Sequence, residues 1–241
     1  MKKTWPCVLM LSLMSALSAA PVAAEGLFDI FLGGATFAPV SMNESYRGPH
    51  FQYNGPYGNK NIDASVAGGL RVGGIHKWER FSLGGAFVMD MYDAKANFKA
   101  DFVAGTRTQQ GGFVLQPGAD IIAGIPLKFI RLYGGAGLCV PLMFYNYTAH
   151  DITSGAYTPN SVGTSGALGY NTFLGVRWLI TNGFNIFLED RFTDLLTPLI
   201  IKNSALASSG PQGAGYYNGS VTFKSLNSNR IVAGVGFAWG S

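Results

Sequence analysis

Charge is what this sequence has least of. Asp, Glu, Lys and Arg make up 12% of its 241 residues, about half the share usual in soluble proteins. With no block of Lys or Arg, nothing in it suggests nucleic-acid binding. Cysteine is nearly absent too: Cys7 lies in a leader segment and only Cys139 remains, which excludes an internal disulfide. A lone cysteine of this kind is ordinarily a small buried apolar residue. Histidines number three, and none belongs to a Cys/His cluster with zinc spacing. Beyond residue 24 no run reaches the ~20 apolar residues that a spanning helix needs, and no long segment keeps a helical period. The glycine-rich stretches are not followed by helices, so they are not phosphate loops. What is plentiful is glycine, 33 residues, and aromatic side chains, 13%.

The first residues have the layout of a secretory signal. Lys2 and Lys3 precede an apolar run from Trp5 to Ala20, and Pro21-Val22-Ala23-Ala24 offers small residues at a cleavage site before Glu25. Residues 1–24 are therefore expected to be a signal peptide and residues 25–241 a single domain. Removing the leader takes away two lysines and no acid, which lowers the formal charge from +4 to +2.

In the remainder, apolar residues recur with period two in segments of about ten residues. Eight strands are predicted, at about 26–38, 61–75, 80–92, 112–125, 128–140, 168–180, 184–191 and 230–239. Three connections are short: His76 to Arg80, Pro126-Leu127 and Thr181-Asn182-Gly183. Four are long: 39–60, 93–111, 141–166 and 193–228. Short and long alternate strictly, as a transmembrane barrel with both termini at one rim requires. The expected fold is all-β: a closed, eight-stranded, antiparallel up-and-down transmembrane β-barrel. Closure follows from the solvent, because hydrocarbon cannot satisfy the polar groups of an open sheet edge.

Alternation alone leaves open which face points outward, since a soluble lipocalin-like barrel turns its apolar face inward. Three features favour lipid outside. The second face of each strand carries small residues and isolated charges, with almost no lysine. Those charges are of mixed sign: Asp29, Asp63, Asp90, Asp120 and Glu189 against Arg71, Arg131, Arg177 and Arg191. They form a candidate lumen charge network, able to pair in a narrow interior. Aromatics gather at the short-turn rim: Phe28, Trp78, Phe81, Phe129, Trp178, Phe184, Phe237 and Trp239. They form a candidate periplasmic girdle. The glycine pairs 33–34, 68–69, 73–74, 84–85 and 134–135 place one residue without a side chain on each face. Inside, they leave room for long Arg, Glu and Tyr side chains.

Three segments carry a family resemblance: Arg131-Leu132-Tyr133-Gly134-Gly135-Ala136-Gly137-Leu138, then Leu168 to Ile180, then Phe187-Leu188-Glu189-Asp190-Arg191-Phe192. With the ending Val235-Gly236-Phe237-Ala238-Trp239, they resemble the OmpA/OmpX-type eight-stranded outer-membrane barrels, including the opacity-like porin-family proteins. The resemblance implies an outer-membrane location and an inward acid and base at Glu189 and Arg191. It also implies a C-terminal strand read by the barrel-insertion machinery, although Gly240-Ser241 follow the last aromatic. No peptidoglycan-binding domain is expected after the last strand.

No catalytic or metal site is expected, and no cofactor. His50 and His150 fall in long connections and His76 in a short turn. Glu189 and Asp190 point to opposite faces of one strand and cannot chelate together. The tyrosine-rich connections, with Tyr46, Phe51, Tyr53, Tyr57, Tyr145, Tyr147, Tyr157, Tyr216 and Tyr217, suit adaptable contacts. The expected role is a non-enzymatic structural or surface-interaction barrel presenting four long extracellular loops. Its partners would be outer-membrane lipid, including lipopolysaccharide, and an extracellular ligand at the loops. The alternative is a narrow channel or carrier for small solutes.

Overall fold

A computed structural model describes residues 23–47, 52–99, 106–151, 161–208 and 215–240. Residues 1–22, which hold most of the expected signal peptide, lie outside the described residues, as do His50, Phe51 and Tyr157. The strands are β1 (Ala23–Phe37), β2 (Val40–Arg47), β3 (Gln52–Lys60), β4 (Ser65–Lys77), β5 (Ser82–Lys99), β6 (Thr106–Pro126) and β7 (Ile130–Cys139). They continue as β8 (Leu142–Asp151), β9 (Ser161–Gly166), β10 (Gly169–Leu179), β11 (Phe184–Leu195), β12 (Leu199–Ser208), β13 (Gly215–Phe223) and β14 (Ser228–Trp239).

Eight of them close a barrel in the order β1-β4-β5-β6-β7-β10-β11-β14, every neighbour antiparallel. The register gives its shape. A walk across the ladders from Gly26 passes Gly74, Gly85, Ile121, Ala136, Thr172, Phe192 and Asn229, and returns to β1 at Thr36, ten residues along. Ten residues at about 3.3 Å against eight strand spacings of about 4.8 Å set a strand tilt of roughly 41°. Eight strands at that tilt enclose a space that side chains fill.

The strands carry on past the barrel wall, and here the sequence reading needs correction. The four long connections are not loops over most of their length. They are hairpins, β2–β3, the upper halves of β5–β6, β8–β9 and β12–β13, which prolong the barrel strands above it. Arg47 opposite Asn218 lies on the same ladder as Gly26 opposite Trp239, so β2 continues β1 and β13 continues β14 without a slip. The breaks occur where the ladder lapses. Pro39, Pro141 and Pro198 sit at three of them, and proline has no N–H to donate. Polar composition concealed these strands, because a hairpin in water needs only one apolar face.

Above the breaks the wall divides into two sheets. One is β12-β13-β2-β3; the other consists of upper β5 and β6 with β8 and β9. Between them lies an apolar core containing Val40, Leu199, Ile201, Val221 and Phe223 from the first sheet and Ala94, Val114, Met143 and Tyr145 from the second. The Tyr145 hydroxyl donates to the Lys202 carbonyl at 2.6 Å, and Ser165 Oγ to the Ile200 carbonyl at 2.5 Å, tying the sheets together. Tyr145 is therefore part of this core and not a surface contact.

Candidate functional site: the barrel lumen and its lipid face

Period two sends every second side chain inward, and at membrane level those positions hold charge. Among the described residues, five arginines (Arg71, Arg131, Arg177, Arg191, Arg230) and five acids (Glu25, Asp29, Asp90, Asp120, Glu189) are buried. The set is formally neutral.

Its geometry is one alternating chain. Arg177 grips Asp29 with both terminal nitrogens, at 2.7 and 3.0 Å, and also donates to Asn185 at 3.0 Å. Arg71 joins Asp29 at 3.3 Å to Glu189 at 2.7 Å. Arg191 takes Glu189 at 2.7 Å and Asp120 at 2.9 Å, and Asn171 donates to the other Asp120 oxygen at 2.9 Å. Arg191 Nε reaches Asp90 at 3.6 Å, and Arg230 closes the upper end on Asp90 at 2.8 Å and Thr193 at 2.5 Å. A separate pair of contacts sits at the short-turn rim, where Glu25 meets Lys77 at 2.7 Å and Arg131 at 3.3 Å.

The guanidinium faces are covered as well. Arg71 and Arg191 lie over the Phe173 ring at 5.1 and 4.9 Å, Arg177 between Tyr133 and Phe187 at 5.3 and 5.1 Å, and Arg230 over Tyr92 at 5.2 Å. Arginine suits this role because its planar fork pairs at the edge while its face stacks. Glycine supplies the space. A Cβ on Gly236 would strike Asp29, Asn185 and Arg177, and one on Gly135 would strike the Phe173 ring.

The structure thus brings together Asp29, Arg71, Asp90, Asp120, Arg177, Glu189 and Arg191, with Arg131 at the rim. Asp63 does not join them. It is exposed, in the break between β3 and β4, while its neighbour Ile62 is buried in the upper apolar core. Period two does not carry across a non-strand segment, so its face could not be read by counting from Arg71. Two charged members escaped the sequence reading. Arg230 shares the inward parity of Val232, Gly234 and Gly236 but stands at the start of its strand. Glu25 stands at the expected cleavage boundary. The polar members Gln116, Asn171, Asn185 and Thr193 follow the same parity.

The outward positions are the reverse. Ile30, Leu32, Leu70, Val72, Phe87, Ile121, Leu132, Leu138, Leu174, Leu188, Ile231 and Val235 are all exposed. At the tilt found here each residue rises about 2.5 Å, so about ten residues of each strand make an apolar belt about 25 Å tall. Charges inside and an apolar belt outside are the inverse of a soluble barrel. The chain is an eight-stranded outer-membrane β-barrel.

All eight residues of the aromatic set lie at the rim of this outer-membrane barrel that bears the short turns. Trp78 stacks on Phe81 at 4.5 Å, Phe184 packs on Phe237 at 5.5 Å, and Phe28 is paired with Phe237 across the β1–β14 ladder. No protein-family model matches the chain, and no curated protein does. Among solved structures it is similar to Neisserial surface protein A (13% identity, 87% of this chain and 96% of that one, TM-score 0.38). It is similar too to the outer membrane protease OmpT of Escherichia coli (10%, 92% and 99%, 0.44) and to the N-terminal β-barrel domain of Pseudomonas aeruginosa OprF (13%, 88% and 97%, 0.37). The assignment of this barrel rests on its own register, belt and lumen.

Proposed function

We propose that this outer-membrane barrel is a non-catalytic, non-conducting surface protein whose folded crown of four hairpins is its working part. One observation carries this reading: among the described residues, buried side chains occupy the lumen from the short-turn rim to the crown. Glu25 and Arg131 occupy the short-turn rim, the arginine-carboxylate chain the middle, and the apolar core between the crown sheets the top. A solute would have to break several buried ion pairs and then pass a hydrophobic plug. Removing one partner of such a pair costs roughly 3–5 kcal/mol.

A non-catalytic role fits the placement of the histidines. His76 is exposed at the short-turn rim, outside the buried network, and His150 stands near the far end of β8, above the barrel. On this reading the belt contacts outer-membrane lipid and lipopolysaccharide, β14 is the strand presented to the insertion machinery, and an extracellular ligand binds at the crown.

Planar-bilayer recording of the purified barrel tests the reading. No resolvable single-channel steps are expected. Steps in the intact protein that change size in Arg191→Ala would replace it with the narrow channel.

A further inference from the structure

Asp190 breaks the pattern of the lipid face. It points outward from β11, directly between Leu174 of β10 and Ile231 of β14, which are 71% and 61% exposed. Along its own strand the outward neighbours are Leu188 and Phe192. Six residues above Phe184, it lies about 15 Å up a belt about 25 Å tall. It has no hydrogen-bond or ion-pair partner among the described residues. A carboxyl group alone in hydrocarbon is costly, and acidic residues at such depth are ordinarily matched by a partner.

We propose that this face is a contact between two copies of the chain within the membrane, with Asp190 meeting Asp190. A two-fold axis along the membrane normal keeps every residue at its own depth and pairs one surface patch with itself. A single outward acid then finds its counterpart only on the axis. A carboxylic acid carries one O–H donor and one carbonyl acceptor, so two facing ones can satisfy each other.

The register supports the same axis. With β11 on the two-fold, β10 of one copy faces β14 of the other. Depth changes by about 2.5 Å per residue along a strand and about 3 Å per strand crossed. Leu174 then lies about 3 Å below Asp190 and Ala233 about 2 Å below it. The most protruding side chain of this face thus meets the small Ala233 of the partner subunit. Tyr170 and Asn229 lie about 7 and 8 Å above Asp190, which sets a phenol against an amide. The match of knob to gap and of polar group to polar group favours a second copy over an unrelated cationic partner.

The test is disulfide trapping in native outer membranes. Leu188 lies on β11 just below Asp190 and would also face its own copy, and the native Cys139 is buried in the lumen. Leu188→Cys is expected to give a disulfide-linked dimer under mild oxidation, and Phe87→Cys on the opposite wall is not. In the Leu188→Cys background, Asp190→Asn keeps a donor and an acceptor and retains the dimer. Asp190→Leu lowers the dimer fraction by roughly 3- to 30-fold, the range for a membrane-buried polar contact. A heat-dependent gel shift for each variant establishes that the barrel has formed. Equal trapping from Phe87→Cys, trapping unchanged by Asp190→Leu, or a mixed adduct with a different protein would each overturn the proposal.

Discussion

The lower interior of this barrel interleaves paired charges with buried apolar and aromatic side chains, whereas the upper interior is an apolar core. Within the membrane the inward face of β11 is Asn185, Phe187, Glu189, Arg191 and Thr193; past the break, the inward residues of β12 are Leu199 and Ile201. The solvent explains the change. At membrane level the outside is hydrocarbon, so moving an apolar side chain inward gains nothing from water, and inward positions are free to hold paired charge. Above it the outside is water, and the hydrophobic effect again drives apolar groups between the two crown sheets. The difference teaches that the polarity of an interior depends on the solvent at that height, and that one strand can obey both rules.

The sharpest way to break the comparison is to unpair the lower interior. Arg71→Met leaves Glu189 with Arg191 alone and Asp29 with Arg177 alone, one buried cation short, and is expected to cost about 3–5 kcal/mol, read as a lower urea midpoint for the barrel in lipid vesicles. If the variant unfolds at the same midpoint, the ion pairs do not hold the lower interior together. In the upper interior, Leu199→Ala should cost about 2–5 kcal/mol through cavity formation. Here the readout is protease cleavage of the crown hairpins while the heat-resistant barrel persists. Cleavage together with loss of the gel shift would mean that the two regions fold as one unit.

The outer surfaces sharpen the contrast. Leu174→Arg, on the lipid face, is expected to destabilise by about 2–4 kcal/mol. Ile200→Lys, equally outward but on the crown, should stay within about 0.5 kcal/mol. Similar urea midpoints for the two would place the crown inside the bilayer. Last, Tyr145→Phe removes the hydroxyl that bridges β8 to the Lys202 carbonyl and should cost about 1 kcal/mol, seen as faster amide exchange along β12. Unchanged exchange would mean that side-chain packing alone holds the crown sheets together.

Much of the barrel was legible because a strand writes its two faces alternately into the sequence. The segment from Arg230 to Trp239 shows its bulky outer face and small inner face without any partner in view, and so do the segments of β10 and β11. The crown was less legible. Its hairpins face water on one side, carry proline at their breaks and read as ordinary polar connections. Asp63 shows the limit of counting: it shares the parity of Ser65 and Arg71, yet it is exposed, because 61–64 is not a strand. Arg230 shows the opposite limit, an inward arginine whose parity was correct but whose place at a strand end hid it.

Local alternation and turn spacing fix the number of membrane strands, their order, and which face each residue inside a strand takes; at strand ends and breaks they fail, as Asp63, Arg230 and Glu25 show. Only the tertiary structure decided which acid meets which arginine. Arg71 and Glu189 are on strands that share no ladder, and they meet because the ten-residue stagger of the closed barrel brings them to one depth across the lumen. The crown core arises in the same way: its apolar residues are scattered over four connections and become one core only when closure stands the hairpins side by side.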